Sequence, residues 1–376
     1  MIRLKILYNK AAVNRGLRLS FRRERYNRMV EKKDLLELEA EELKNELTAL
    51  GEKPFRAQQI WKWLYSGELD FQRMSNLPKN LRDLLSERYK AGGLRIRNKL
   101  TSKVDGTRKY LFELDDGNII EGVLMQYHYG YSACLSTQVG CKMGCSFCAS
   151  SPLGYIRNLT LGEMLAQILC MIHDLNDRIS HVVLMGIGEP FDNYENVVDF
   201  LRRINREDTL NISFRKMTVS TCGIVPGILR FAREGFPVNL SVSLHAPNDT
   251  IRTQMMPVAR RWPMEELLAA CNEYARLTSR RVTYEYALIK DVNDAARHAE
   301  ELAGRLRNTL SHVNLIPVNK VEGTGYDKSS RERIEAFRAI LERKGIAVTV
   351  RRELGSDIMA ACGQLRRDTM LGTGKV

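Results

Sequence analysis

From Asp34 to Leu50 the apolar residues Leu35, Leu36, Leu43, Leu47 and Leu50 recur at roughly helical spacing, and Gly51 is a natural C-terminal stop. A second helical stretch carries Ile60, Trp61 and Leu64 on one side. A third is expected to begin after Asn76 as N-cap, with Pro78 in its first turn. Residues 34–92 therefore read as a compact helical accessory domain. Its aromatic residues Phe55, Trp61, Trp63 and Tyr65 could contact nucleic acid, but such residues are more often core.

Around residues 95–127 the period changes. Alternating segments are punctuated by Asp105-Gly106 and Asp116-Gly117, both strong hairpin turns. A small antiparallel connector over 93–130 is the simplest reading. Beyond it, strand and helix patterns alternate. The expected strands are Ser132–Val139, His181–Met185, Met217–Thr221, Asn239–Leu244, Val282–Ile289, Val313–Val318 and Ala347–Arg351, with helices such as Leu161–Leu175 and Ile334–Lys344 between them. That alternation predicts an α/β fold over 131–376, a parallel sheet covered by helices and hence a barrel or partial barrel.

Composition is that of an ordinary globular chain, with 44% hydrophobic and 27% charged residues among 376. No apolar run approaches the roughly 20 residues of a membrane span, and no signal peptide is evident. A reducing cytoplasm is expected, where eight cysteines point to metal, redox or nucleophilic roles or to plain burial. The net charge of +13 suggests a polyanionic partner, but residues 1–33 hold eleven Lys and Arg against two Glu. This basic extension reads as an RNA-binding arm, a disordered tail or the product of a start upstream of Met29; a transit peptide fits less well.

The sharpest local feature is Cys141-Lys142-Met143-Gly144-Cys145-Ser146-Phe147-Cys148, just after the first barrel strand. Three thiolates on one tight loop can hold three corners of a [4Fe–4S] cluster and leave the fourth iron open. Zinc is the other reading, although it prefers four ligands, usually in two separated pairs. Later, Gly186-Ile187-Gly188-Glu189-Pro190 offers close backbone approach and a carboxylate that can accept from an ammonium group. Ser220, Ser243, Leu244, His245 and Asn319 fall at or near the ends of later strands, the edge where β/α barrels gather their active sites.

The cysteine spacing resembles that of radical-SAM enzymes, and Gly188-Glu189-Pro190 resembles their element for the methionine amine. Longer matches narrow the resemblance. Tyr131 to Cys141, Arg157-Asn158-Leu159 and Asp357 to Leu365 are similar to the RlmN/Cfr family of rRNA adenine methyltransferases, from about residue 33 to the end. The resemblance implies a partial barrel of radical-SAM type, with a cluster on Cys141, Cys145 and Cys148. It also implies S-adenosylmethionine, two per turnover, held by Gly188, Glu189, Ser220, Ser243, Leu244, His245 and Asn319. Cys362, in a C-terminal loop, would carry the methyl group, Glu121 would take the ring proton, and Cys134 would resolve the covalent intermediate through a transient disulfide. Without the family, Glu121 would read as a solvated surface residue. The implied partners are 23S rRNA, tRNA, and an electron donor such as flavodoxin or ferredoxin, with the protein a monomer away from any membrane. Pro190 resembles the enzymes that methylate adenine C2; C8 of the same adenine is the alternative. Cys170, Cys222 and Cys271 match none of these positions and read as buried.

Overall fold

The computed structural model describes residues 32–318, 325–352 and 354–358. Among these, ten strands form one sheet in strict sequence order. They are β1 Leu94–Thr101, β2 Arg108–Leu114, β3 Ile119–Tyr127, β4 Gly130–Cys134, β5 Ile179–Leu184, β6 Met217–Thr221, β7 Asn239–Ser243, β8 Val282–Leu288, β9 Ser311–Pro317 and β10 Ala347–Val350. Strands β1 to β4 run antiparallel through hairpins at the two expected Asp-Gly turns; β4 to β10 are parallel. Strand β4 belongs to both halves, so the hairpins continue the barrel wall. The end strands β1 and β10 do not pair, which makes the barrel partial.

The parallel strands show why this sheet encloses a site. Parallel strands buried on both faces are normally apolar throughout. Here Met217, Val219, Leu240, Val242, Val313 and Leu315 point outward into the helix-covered core. Between them, Ser220 stands in register with Ser241 and Thr283, and Ser243 with Glu285 and Asn314. The inner face is therefore polar. Thr218, Asn239, Ser241, Thr283 and Glu285, with Arg280, Arg281 and Leu310 just ahead of β8 and β9, line an open cavity of about 580 Å³ toward the N-terminal ends of these strands.

The first expected barrel strand is split. Strand β4 ends at Cys134, and Gln138–Gly140 leaves the wall to pair antiparallel with Tyr155–Asn158. The chain turns because the Gln167 amide satisfies the backbone of Ser136 from both sides: the Ser136 N–H donates to Oε1 at 2.9 Å, and Nε2 donates to the Ser136 carbonyl at 3.0 Å. Gln167 sits on the helix Leu161–Leu175, whose start is a capping box of Thr160 and Glu163.

The helical unit also differs from the pattern in detail. Its first helix is Ala40–Ala49, because Asp34 instead lies in a two-residue strand and accepts from the N–H groups of Leu36 and Gly92. The third helix, Lys79–Arg88, has Pro78 rather than Asn76 at its N-cap; the Asn76 side chain accepts from Trp63 Nε1 at 2.6 Å. Of the four aromatic residues, Trp61 and Tyr65 are buried, Trp63 is half-buried and Phe55 is exposed. The unit packs into the barrel's own core. Buried Arg203 donates to the Leu38 carbonyl at 2.8 Å, and Trp61 Nε1 to the Asp208 carbonyl at 2.9 Å. No described helix is long and apolar enough to cross a membrane.

Candidate active site

The cluster loop is built at the ends of the barrel strands. Cys141 follows the small strand Gln138–Gly140, and its N–H donates to the Gly154 carbonyl at 3.1 Å. Gly140 has φ +80°, and a Cβ there would lie 1.8 Å from that carbonyl oxygen, so only glycine closes this turn. Further along, the Ser146 N–H donates to the Met255 carbonyl at 2.9 Å. The Phe147 ring meets His245 edge-on, with centroids 4.7 Å apart. The loop is thus latched to the barrel rim.

Cys141, Cys145 and Cys148 are half-buried thiols. Burial pushes Cys141 up to about 11, and the neighbouring Cys148 adds to it. Burial likewise raises Cys145, reinforced by Cys148 and Cys141. The three groups therefore sense one another, and their ionised forms require a strong local positive charge. No three His, Cys, Asp or Glu side chains among the described residues converge as they would around a single ion. Three thiolates that each serve a different iron of a cube need no such convergence. The donor set fits a cluster.

Beside this loop, Glu189 is buried. Its Oε1 accepts from the Phe191 N–H at 3.1 Å and its Oε2 from the Cys222 N–H at 2.7 Å. The Thr221 and Cys222 side chains donate to the same carboxylate. Burial raises the Glu189 carboxyl, offset in part by these bonds. A Cβ on Gly188 would lie 2.7 Å from both Gln138 Cβ and Thr137 Oγ1, and one on Gly186 would lie 2.6 Å from the Leu135 carbonyl oxygen. Both glycines thus let this turn press against the bend after β4. Arg252, fully buried, donates to the Cys222 carbonyl at 2.7 Å. Its Nε and the buried Thr137 Oγ1 lack partners among the described residues, which is consistent with room for a polar ligand here.

His245 is buried with φ +55°, and its Nδ1 accepts from the Ala287 N–H at 2.9 Å. The ring proton is accordingly assigned to Nε2. Burial, with Arg252 adding, lowers His245 to about 3, so it is a neutral donor. Ser220 and Ser243 are half-buried on the inner face, whereas the Leu244 side chain lies in the core and offers only its backbone. Asn319 and Cys362 lie outside the described residues.

Glu121 and Cys134 share the lumen face further along the wall. Cys134 stands opposite Val123, two residues from Glu121 on the same strand. Glu121 is buried, not a solvated surface residue, and its Oε2 lies 3.3 Å from Lys109 Nζ. Leu354, in the C-terminal segment, packs with Val123 and Cys134. No disulfide joins any two of the seven described cysteines. Cys222 and Cys271 are buried as expected, but Cys170 is only half-buried, and Cys222 borders Glu189. Sequence reasoning missed Lys109 and Arg252 altogether. Cys222, directly after the end of β6, carried a positional signal.

The radical SAM superfamily pattern matches residues 135–303, and that of the ribosomal RNA large subunit methyltransferase N-terminal domain matches 33–90. A probable dual-specificity RNA methyltransferase RlmN of Alkaliphilus oremlandii is 54% identical over 338 residues, 90% of this chain and 98% of its own length. The protein of the same name from Clostridium novyi is 50% identical over 337 residues, 89% of this chain and 98% of its own. The crystal structure of a radical SAM methyltransferase from Sphaerobacter thermophilus superposes with a TM-score of 0.85 at 45% identity, covering 88% of this chain and 98% of that one. With a relative 54% identical over 90% of the chain and a superposing radical SAM methyltransferase, the chain belongs to the RlmN family of the radical-SAM superfamily.

Proposed function

We propose that this protein methylates C2 of an adenine in 23S rRNA, adenine 2503, and in tRNA, adenine 37, through an S-methylcysteine on Cys362. The observation that carries this reading is the placement of Glu121 and Cys134 on one lumen face, with Leu354 of the C-terminal segment packed beside them. A [4Fe–4S] cluster and S-adenosylmethionine, the cofactors of this superfamily, supply a methyl group and a carbon radical when bound.

The chain's own residues divide the remaining work. Cys141, Cys145 and Cys148 would each hold one iron, and Glu189 would accept from the methionine ammonium group. His245, Ser220, Ser243, the Gly188 and Leu244 backbone, and Asn319 would complete the cofactor pocket. Adenine C2 lies between two ring nitrogens and resists an electrophilic methyl donor, so a carbon radical carried on Cys362 is the reagent that suits it. After the new carbon–carbon bond forms, the adduct gives up its odd electron to a one-electron acceptor and its ring proton to Glu121. The Cys134 thiolate then attacks the Cys362 sulfur: a sulfur–sulfur bond forms, the sulfur–carbon bond breaks, and the released carbon gains a proton to become the methyl group.

The adenine must leave its stack to reach this lumen. The helical unit is the proposed RNA-binding element, with exposed Phe55 and the Arg56 guanidinium 4.8 Å above its ring available for base stacking. A monomer in the cytoplasm, reduced by flavodoxin or ferredoxin, completes the proposal. The test is anaerobic reconstitution with labelled S-adenosylmethionine and rRNA or tRNA, read by nucleoside mass spectrometry. Label at adenine C2 is expected; label at C8, or none, overturns the assignment.

A further inference from the structure

We infer that Lys109 is a positioning residue for the ring-proton acceptor, holding the Glu121 carboxylate ionised and oriented toward the lumen. The inference rests on the proposed role of Glu121. Lys109 lies on β2 and Glu121 on β3, with side-chain exposures of 0% and 4% and Nζ 3.3 Å from Oε2. In the antiparallel register Lys109 stands opposite Val123, and Val123 opposite Cys134. Glu121 is opposite Leu111, the diagonal neighbour of Lys109 on the same face. One row across the wall thus carries the ammonium group and the candidate resolving thiol, with the candidate base two residues along β3 on the same face.

A buried ion pair is a poor device for stability. Stripping water from both charges is costly, and an apolar pair of similar volume would serve the fold as well or better. Its value lies in what the charge does to its partner. A carboxylate buried without a counter-charge takes up a proton, and a neutral acid accepts no second one. Lys109 Nζ, 3.3 Å from Oε2, supplies that counter-charge inside the wall. When the ring C–H bond breaks, its electron pair remains on the ring, the adduct's odd electron passes to a one-electron acceptor, and the proton forms an O–H bond at Glu121.

Among the described residues, the other titratable or charged groups along this face include Glu113 on β2, paired with Arg95 and Arg97 of β1, Cys134 on β4, His181 on β5 and Tyr127 on β3 itself. Arg351 and Arg352, past β10, lower Tyr127 against the effect of its burial. Asp357, in the C-terminal segment, is tied to the hairpin turn before β2. Lys109 brings a positive charge to Glu121 at ion-pair distance.

The experiment compares Lys109→Met, Lys109→Arg, Glu121→Gln and the Lys109→Met/Glu121→Gln pair in the cluster-loaded protein with rRNA. Iron content and thermal melting monitor the fold. A denaturing gel follows the covalent protein–RNA species, and methylation is measured across pH. Lys109→Met should form that species yet release it roughly tenfold more slowly at neutral pH, with the acid limb of the profile moved up by about one unit or more. Lys109→Arg should keep the wild-type limb, and the double variant should stall like Glu121→Gln at every pH. A Lys109→Met profile of wild-type shape, a uniform loss at all pH values, or a displaced limb in Lys109→Arg would overturn the inference. If Glu121→Gln itself releases product normally, the reading of Glu121 falls instead. A stalled Glu121→Gln beside an unchanged Lys109→Met sinks only the role of Lys109.

Discussion

The backbone N–H of Gly355 donates to Oδ2 of Asp105 at 2.8 Å, joining the C-terminal segment to a hairpin turn 250 residues earlier. Asp357 returns the contact: its Oδ1 accepts from Ser102 Oγ at 2.7 Å and its Oδ2 from the Lys103 N–H at 2.9 Å. Burial works against the Asp105 carboxylate, but the bonds from Gly355, Thr107 and Ser102 outweigh it and hold the group at about 2. Cys362 follows Asp357 by five residues.

This clip should matter to the reaction more than to the fold. Asp357→Ala removes two hydrogen bonds to a charged acceptor at an exposed site. Hydrogen exchange over 102–107 should rise while iron content and melting temperature stay near wild type. Methylation of Cys362, read by peptide mass spectrometry, should fall several-fold. Unchanged Cys362 methylation would show that the clip does not position the carrier.

Replacement of Cys141, Cys145 or Cys148 by Ala should abolish cluster binding, since two thiolates cannot fix a cluster with one open iron. Iron and sulfide analysis with visible absorption of anaerobically purified protein decides this. A wild type loaded with zinc and free of iron would sink the assignment.

Cys134→Ala separates steps. The variant should load its cluster, methylate Cys362 and join carbon to adenine, yet fail to release the product. A nuclease-sensitive covalent protein–RNA band should accumulate on a denaturing gel. Cys362→Ala should give no band, and the double variant should behave like Cys362→Ala. If Cys134 is only a buried strand residue, its loss lowers stability without trapping RNA.

A pH effect on stability should arise at Asp34, far from the chemistry. Burial raises this carboxyl from 3.8 to about 6, more than the Gly92 and Leu36 bonds lower it. Because the folded value lies above the unfolded one, the contribution to stability is full below about pH 4. It declines as the unfolded chain loses its proton first, and is gone above about pH 6. Each unit of difference is about 1.4 kcal/mol, so wild type should lose up to about 3 kcal/mol relative to Asp34→Asn between pH 4 and 7. Chemical denaturation at the two pH values measures the difference. A constant gap between the proteins would refute it.

Much of this architecture is written locally. Alternation in Met217-Thr218-Val219-Ser220-Thr221 and Asn239-Leu240-Ser241-Val242-Ser243 marks strands with one apolar and one polar face, because successive side chains of a strand point to opposite sides. The Asp-Gly pairs mark the hairpins, because their glycines take φ +73° and +81° at no steric cost. The thiol triad is equally local, since one loop of eight residues carries all three ligands.

Long-range relations are another matter. Periodicity says which face a residue occupies, but not which strand lies beside it or in what register. Hence Lys109 beside Glu121, and Cys134 one strand further, became visible only once β2, β3 and β4 were paired. The split after Cys134 depends on Gln167 reaching across to Ser136 from 31 residues later in the chain, and the apolar run through Val139 holds no trace of it. Asn76 carries good capping chemistry, yet Trp63 claims its side chain through a tertiary hydrogen bond. Composition alone makes Glu121 a surface carboxylate, since an unpaired charge is too costly to bury. Only tertiary structure, by placing an ammonium group 3.3 Å away inside the barrel wall, makes its burial affordable.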